Sequence, residues 1–347
     1  MIQQDDNLFV TIEPIQPLPS GTLVEVEEWT VDDISNMTAT SGPAREKSIN
    51  KVLRRCRIQE DPDGIYNLDP DSPFPSERGL TGDRSALMIL QRIISQGAMF
   101  EFDWTCGIIG CQEKVNWEFD LRRLLLPYII TPEGQMLADE AELDPETDNP
   151  ERMTYVDTDD GPAVIVPRLG EEPILLGDER VYWRQMSPEA VQLWHQSQGE
   201  TPPYFEDRRG NKVFWRFFTG KEEAQVSAAG GVTNLSALRT ASIAKRILHV
   251  EVPPKKGDPE AKSTFVRPRA KVSTSKCPIT KWVRQWSSRA SDRFLQHVND
   301  LEPGLDTTIE VQCPECGEHQ DLELPMGAGF FSPSSTRRPS RTRSSSR

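Results

Sequence analysis

Two stretches in the first third of the chain repeat apolar residues with the 3.6-residue period of an amphipathic helix. The pattern predicts one helix from about Ala44 to Ile58 and a second from Asp83 to Ser95, separated by a loop rich in proline and aspartate. Because its position falls on the apolar face, Cys56 is expected to be a buried small hydrophobe. The residues predicted to face a core are Ile49, Val52, Leu53 and Cys56, then Leu87, Leu90, Ile93 and Ile94.

Strict alternation of apolar and polar residues from Val115 to Leu121 predicts a half-buried strand. A further strand is indicated near 211–218. Thr219 is a candidate N-cap for a helix that follows it, and another helix is predicted over 235–248. A helix-rich stretch then runs through Trp282 and Phe294. Helices and hairpin-like strands in this order predict an α+β fold.

One pattern occurs twice, about 200 residues apart: a helix beginning with Asp-Arg, a glycine, a strand and a close pair of cysteines. Its first copy contains Asp83-Arg84 and Gly97, and its second contains Asp292-Arg293 and Gly304. In both copies the glycine precedes the first cysteine by nine residues. We therefore expect two duplicated units, each a helix plus a zinc-ribbon-like β-hairpin, packed as one body. The paired cysteines are Cys106 and Cys111 in the first copy and Cys313 and Cys316 in the second.

Two cysteine pairs on two hairpins can supply the four thiolates of one tetrahedral zinc site. Cys313-Pro-Glu-Cys316-Gly has the short spacing and following glycine of a zinc knuckle, and the spacer Gly-Ile-Ile-Gly of the other pair is longer. Reduced thiols without metal and a redox-active pair are the alternatives. A redox-active Cys-x-x-Cys motif begins a helix, however, whereas strands are predicted on both sides of this one. His319 could replace one thiol. Four thiolates would close the coordination shell and leave no catalytic position.

The 347-residue chain is 36% apolar, has 28 prolines and carries a net charge of −14. An acidic body argues against a general nucleic-acid binder, which would need a basic face. The composition predicts four regions. They are an N-terminal lobe over 1–132, an acidic loop-rich insertion over 133–203, a C-terminal lobe over 204–331 and a disordered Arg/Ser tail over 332–347.

Neither a secretory signal nor a membrane span is expected, because the first residues are polar and acidic and no apolar run approaches eighteen residues. The predicted compartment is the cytosol, where paired cysteines favour metal binding over disulfides. Phosphate-loop, calcium-loop and histidine-based catalytic patterns are absent or incomplete. We therefore expect a protein that is not an enzyme and has no small-molecule substrate.

The order of these features resembles the base plate hub and tail-assembly proteins of contractile-tailed, T-even-like bacteriophages. The similarity spans roughly 20–130 and 204–332, and the four-residue spacer of the first cysteine pair departs from the spacing common in that family. The matching motifs, beyond the two cysteine hairpins, are Ala44-Arg45-Glu46, Val52-Leu53-Arg54-Arg55-Cys56, Asp83-Arg84, Phe119-Asp120-Leu121, Thr219-Gly220-Lys221-Glu222-Glu223, Leu324-Pro325 and Phe330-Phe331.

The resemblance implies a non-enzymatic base plate component or tail-assembly factor that acts through protein–protein binding. Its partners would be other tail and base plate proteins. It would reside in the host cytoplasm during assembly and then in the base plate of the virion tail. A zinc-ribbon protein that binds nucleic acid is the alternative, although the acidic body argues against nucleic acid as a partner.

Overall fold

The computed structural model describes residues 15–125, 154–158, 161–165, 174–175, 183–228, 235–254, 263–268 and 276–331. The predicted tail over 332–347 and much of the predicted insertion lie outside the described residues. The described helices are α1 (Val31–Ala39), α2 (Gly42–Leu53), α3 (Thr81–Gln96), α4 (Pro188–Gln198), α5 (Gly220–Ala228), α6 (Leu235–Arg246), α7 (Pro278–Val283) and α8 (Ser288–Leu301).

Short antiparallel sheets accompany these helices, which confirms the predicted mixture of helix and sheet. The pairings are β1-β2-β3, β4-β5, β6-β7-β8, β9-β14, β10-β11-β12-β13 and β15-β16. The strands are β1 (Ile15–Pro17), β2 (Leu23–Glu25), β3 (Arg57–Glu60), β4 (Met99–Thr105), β5 (Lys114–Asp120), β6 (Thr154–Thr158), β7 (Gly161–Ile165), β8 (Ile174–Leu175), β9 (Trp183–Arg184), β10 (Tyr204–Glu206), β11 (Lys212–Trp215), β12 (Ile247–Val252), β13 (Thr264–Val266), β14 (Gly304–Leu305), β15 (Thr308–Gln312) and β16 (His319–Glu323).

The second helix ends earlier than its apolar period predicts. It stops at Leu53, where the amide of Arg54 bonds to the carbonyls of Asn50 and Val52, and β3 begins at Arg57. Pairing of β3 with β2 therefore overrides the helical period over the last residues of the predicted segment. Cys56 lies between the two elements and is nevertheless fully buried, as its apolar spacing predicts.

Helix α3 lies at the centre of the fold. Leu87, Leu90 and Ile93 are buried, as predicted. The helix also buries polar residues, including Gln91 and Arg92, so it is enclosed on more than one face. An ideal Cβ at Gly82 would lie 2.1 Å from the carbonyl oxygen of Pro303, which shows how closely the chain before β14 passes the first turn of α3.

Residues from both ends of the described chain share one hydrophobic core, from Leu18 to Phe331. The carbonyl of Phe330 accepts from Nε of Arg92 at 3.0 Å, and the carbonyl of Phe331 accepts from Nε2 of Gln96 at 2.8 Å. The last described turn, a 3-10 helix over Ala328–Phe331, is therefore tied to the end of α3.

Helix α4 also enters this core. Its Trp194 is buried, packs edge-on against Phe217 and donates its indole N–H to the carbonyl of Ile65 at 2.7 Å. Across the residues that the structure describes, no helix is long and apolar enough to span a membrane.

Candidate metal centre

The first cysteine pair lies in the turn between β4 and β5. These strands pair from Met99 opposite Asp120 to Thr105 opposite Lys114, and alternate residues of β4 are buried. At the end of the ladder the amide of Cys106 bonds to the carbonyl of Glu113 at 2.8 Å, and the amide of Cys111 bonds to that of Ile108 at 3.1 Å. The four-residue spacer therefore forms a hydrogen-bonded turn with a cysteine at each end.

The second pair lies in the tighter turn between β15 and β16. The amide of Cys313 bonds to the carbonyl of Glu318 at 3.0 Å, and the amide of Gly317 bonds back to the carbonyl of Cys313 at 2.8 Å. Gly317 has a φ of 74°, a left-handed conformation that glycine adopts at no steric cost. This glycine lets the chain turn immediately after Cys316, as a zinc knuckle requires.

The two turns meet, and their four sulfur atoms lie within 4.8 Å of one another. The Sγ atoms of Cys106 and Cys316 are 3.8 Å apart, and those of Cys111 and Cys313 are 3.7 Å apart. Both close pairs join one hairpin to the other. A tetrahedral zinc ion with bonds of about 2.3 Å would place its sulfur ligands about 3.8 Å from each other.

These distances exclude disulfides, whose sulfur atoms are about 2.05 Å apart, and the four thiols are free. Cys106 and Cys313 are buried, Cys111 is half-buried and Cys316 is exposed. The cluster thus lies at the edge of the core, where a metal ion could enter from solvent.

Backbone amides that point at the sulfur atoms perturb the thiols. The amide of Cys316, against the effect of burial, lowers the pKa of Cys313 to about 7. The amide of Glu113 acts in the same direction on Cys111, but burial and hydrogen bonds with the other three thiols raise its pKa to about 12. Neighbouring thiolates repel one another, so a cation at this position would favour their joint ionisation.

Gln320 of β16 links the two turns from outside the sulfur cluster. Its Nε2 donates to Sγ of Cys106 at 3.0 Å, and its Oε1 accepts from the amide of Gly107 at 2.9 Å. Such an outer contact fixes the orientation of a metal ligand. No periodicity or spacing in the sequence pointed to this residue, because its partner Cys106 is 214 positions away.

His319 does not join the cluster. It lies on β16, and its Nδ1 contacts Oε1 of Glu310 across the hairpin at 2.6 Å, with both side chains 59% exposed. Among the described residues, the group of side chains that could hold a metal ion consists of the four predicted cysteines. Cys56 and Cys277 lie outside it.

A buried ionic cluster around Arg84 was not predicted. The Arg84 side chain is 2% exposed. Its guanidinium forms an ion pair with Glu46 of α2 and a second one, of 3.1 Å, with Glu223 of α5. It also donates to Oδ1 of Asn50 at 2.6 Å and to the carbonyl of Ser76. The cluster ties α2, α3 and α5 together, so it joins the N-terminal region to the region after residue 204.

Gly220 is required by the same cluster. A Cβ at this position would lie 2.4 Å from the carbonyl oxygen of Ser76 and 2.6 Å from Nη1 of Arg84. The Ala-Arg-Glu, Asp-Arg and Thr-Gly-x-Glu-Glu motifs therefore converge on one place. The available sequence signal was a set of opposite charges at the starts of separate helices, without any indication that they meet.

Comparisons of the chain with protein-family models, with curated proteins and with solved structures found no match.

Proposed function

We propose that the four cysteines hold a structural zinc ion that joins the two hairpins. The two sulfur–sulfur distances of 3.8 and 3.7 Å across the hairpins carry this proposal, because they equal the edge of a zinc–thiolate tetrahedron. Tetrahedral sets of four thiolates hold zinc or iron, and the two knuckle-like turns are typical of structural zinc sites, so we assign zinc. With four protein ligands the ion would have a structural role.

The two helix–hairpin units are interpreted as a duplicated zinc-ribbon-like element that shares one ion. Support comes from the equal spacing of nine residues between glycine and first cysteine, and from the antiparallel hairpin in each copy. Metal binding would close a loop of about 200 residues, and the binding free energy would add to that of folding.

For the whole protein we propose a non-enzymatic role in building the base plate of a contractile phage tail, as a base plate hub component or an assembly factor. The order of the motifs supports it, and so does the convergence of three of them on Arg84. These motifs would maintain a rigid body whose exposed surfaces bind other tail proteins, in the host cytoplasm and then in the virion.

Tail assembly tests this role. In cells infected by a phage whose copy of this gene encodes Cys313→Ser and Cys316→Ser, we expect tails without complete base plates by negative-stain electron microscopy. His319→Ala, on the same hairpin but outside the sulfur cluster, is the matched control and should give normal tails. Normal base plates with the cysteine variant would contradict the proposed role.

A further inference from the structure

A cavity of about 380 Å³ lies between the β10–β11 turn and the start of α8. None of the four clustered cysteines lines it. Its size is within the range of pockets that bind small molecules or a few residues of a peptide. The proposed metal centre makes no use of it.

Four exposed arginines line this cavity: Arg208, Arg209, Arg289 and Arg293. None of them forms an ion pair with another residue in the described part of the chain. The lining carboxylate, that of Asp207, accepts from the amides of Arg209 and Asn211 at 2.8 and 3.0 Å and so is engaged in the β10–β11 turn. Among the described residues, the cavity lining thus carries four guanidinium groups and one carboxylate, an excess of positive charge.

Aromatic rings form the apolar part of the same cavity. Trp282 and Trp286 contact each other edge to face with ring centroids 4.8 Å apart, and both are half-buried. The guanidinium of Arg293 lies 6.0 Å from the centre of the Phe205 ring. A ligand in this position would meet both cationic and apolar surface.

The local charge is opposite to that of the chain. Residues 276–293 contain five lysines and arginines and one acidic residue, Asp292, whereas the chain as a whole carries −14. Asp292 forms an ion pair with Arg239. Cations that repel one another without compensation favour an anionic ligand, because such a ligand relieves their repulsion.

We propose that this cavity binds an acidic peptide segment of a partner protein, in which a carboxylate side chain adjoins an aromatic or aliphatic one. The arginines would bind the carboxylates and the two indoles would contact the apolar side chain. A nucleic-acid strand fits less well, since a binding site of roughly 4–16 nucleotides would extend from the small cavity over an acidic protein. The identity of the partner as a tail protein rests on the proposed function. The preference of the cavity for an acidic peptide does not depend on that function.

Fluorescence anisotropy with the full-length protein tests the inference. The probes are a labelled peptide of alternating aspartate and phenylalanine, its asparagine analogue and a labelled oligothymidine. The test variant is Arg289→Gln with Arg293→Gln. The matched control is Lys281→Gln with Arg284→Gln, which removes the same charge from exposed residues that do not line the cavity.

We expect the acidic peptide to bind more tightly than its asparagine analogue, and the cavity variant to weaken it about tenfold while the control changes little. Preferred binding of oligothymidine, weakened by the same variant, would overturn the peptide assignment and favour the nucleic-acid alternative. No binding, or equal losses in both variants, would overturn the site itself. Unchanged circular dichroism and metal content of each variant would exclude misfolding and keep this result separate from the proposed metal centre.

Discussion

The two helix–hairpin units both end in a turn that carries two cysteines, but their helices and strands differ. The first helix, α3, buries both residues of its Asp-Arg pair, whereas Asp292 and Arg293 of α8 are exposed. The first hairpin has strands of seven residues and the second has strands of five. The similarity therefore lies in the order of the elements, the glycine spacing and the paired cysteines, and not in the burial of the helices or the length of the strands.

The helices differ because their neighbours differ. Around α3, Arg84 meets two carboxylates from distant helices, and Asp83 accepts from the amide of Ser20 at 2.9 Å and from the hydroxyl of Tyr66 at 2.5 Å. On α8, Phe294 and Val298 are the buried residues. The Asp-Arg pair is thus buried in the core of the first unit, whereas in the second unit it is exposed and can contact a ligand.

Replacing the arginine of the Asp-Arg pair in each unit should give the largest difference in stability loss between the two units. Arg84→Met would leave the carboxylates of Glu46 and Glu223 without their cation, and we expect it to lower the free energy of unfolding by about 3–5 kcal/mol. Arg293→Met, on an exposed side chain, should change it by less than about 0.5 kcal/mol. Urea denaturation at neutral pH measures both. Similar losses would show that the two helices have the same structural role.

The buried aspartate predicts a pH effect. Burial raises the pKa of Asp83 to about 6, although Ser20 and Tyr66 donate hydrogen bonds to it. Because the unfolded value is about 3.9, the folded state binds the proton more tightly. The contribution of this carboxyl to stability therefore falls as pH rises from about 4 to 6, by up to about 3 kcal/mol, and is constant above.

The difference in unfolding free energy between wild type and Asp83→Asn should follow that curve. Asp292→Asn, at the corresponding position of the second unit, is the control for a general charge effect. A wild-type-minus-variant difference that stays constant from pH 4 to pH 7 would be inconsistent with a buried, titrating Asp83.

Alanine substitution should cost different amounts of stability at Gly97 and Gly304, the two glycines that lie nine residues before a cysteine. Gly97 ends α3 with a φ of 88° and a ψ of 163°, a region almost restricted to glycine, so Gly97→Ala should cost about 2 kcal/mol. Gly304 lies in β14 without a positive φ, and its added Cβ would be 3.4 Å from the nearest atom, Cα of Gly82. Gly304→Ala should cost less than about 1 kcal/mol by the same urea assay. A reversed order would refute this reading of the two backbones.

The smallest effect is expected for His319→Ala. The imidazole and Glu310 are both exposed, and such a pair contributes about 0.5 kcal/mol or less. Metal content should remain that of the wild type, because His319 lies outside the sulfur cluster. Loss of metal in this variant would show that the histidine is a ligand.

Local patterns in the sequence predicted the parts of the fold that depend on local periodicity or spacing. The core face of α3, the β4–β5 hairpin and the four clustered cysteines were all accessible in this way. The burial of Arg84 was not, because its carboxylate partners lie 38 and 139 positions away in the chain. The end of α2 at Leu53 was missed for a similar reason, since a strand pairing determines it.

Metal analysis tests the central claim most directly. Purified wild-type protein should be compared by elemental analysis with Cys106→Ser/Cys111→Ser and with Cys313→Ser/Cys316→Ser. A shared site predicts about one zinc per wild-type chain and its loss in both variants, because each removes half of the ligands. Absence of zinc from the wild type, or its loss in only one variant, would contradict a single ion that joins the two hairpins.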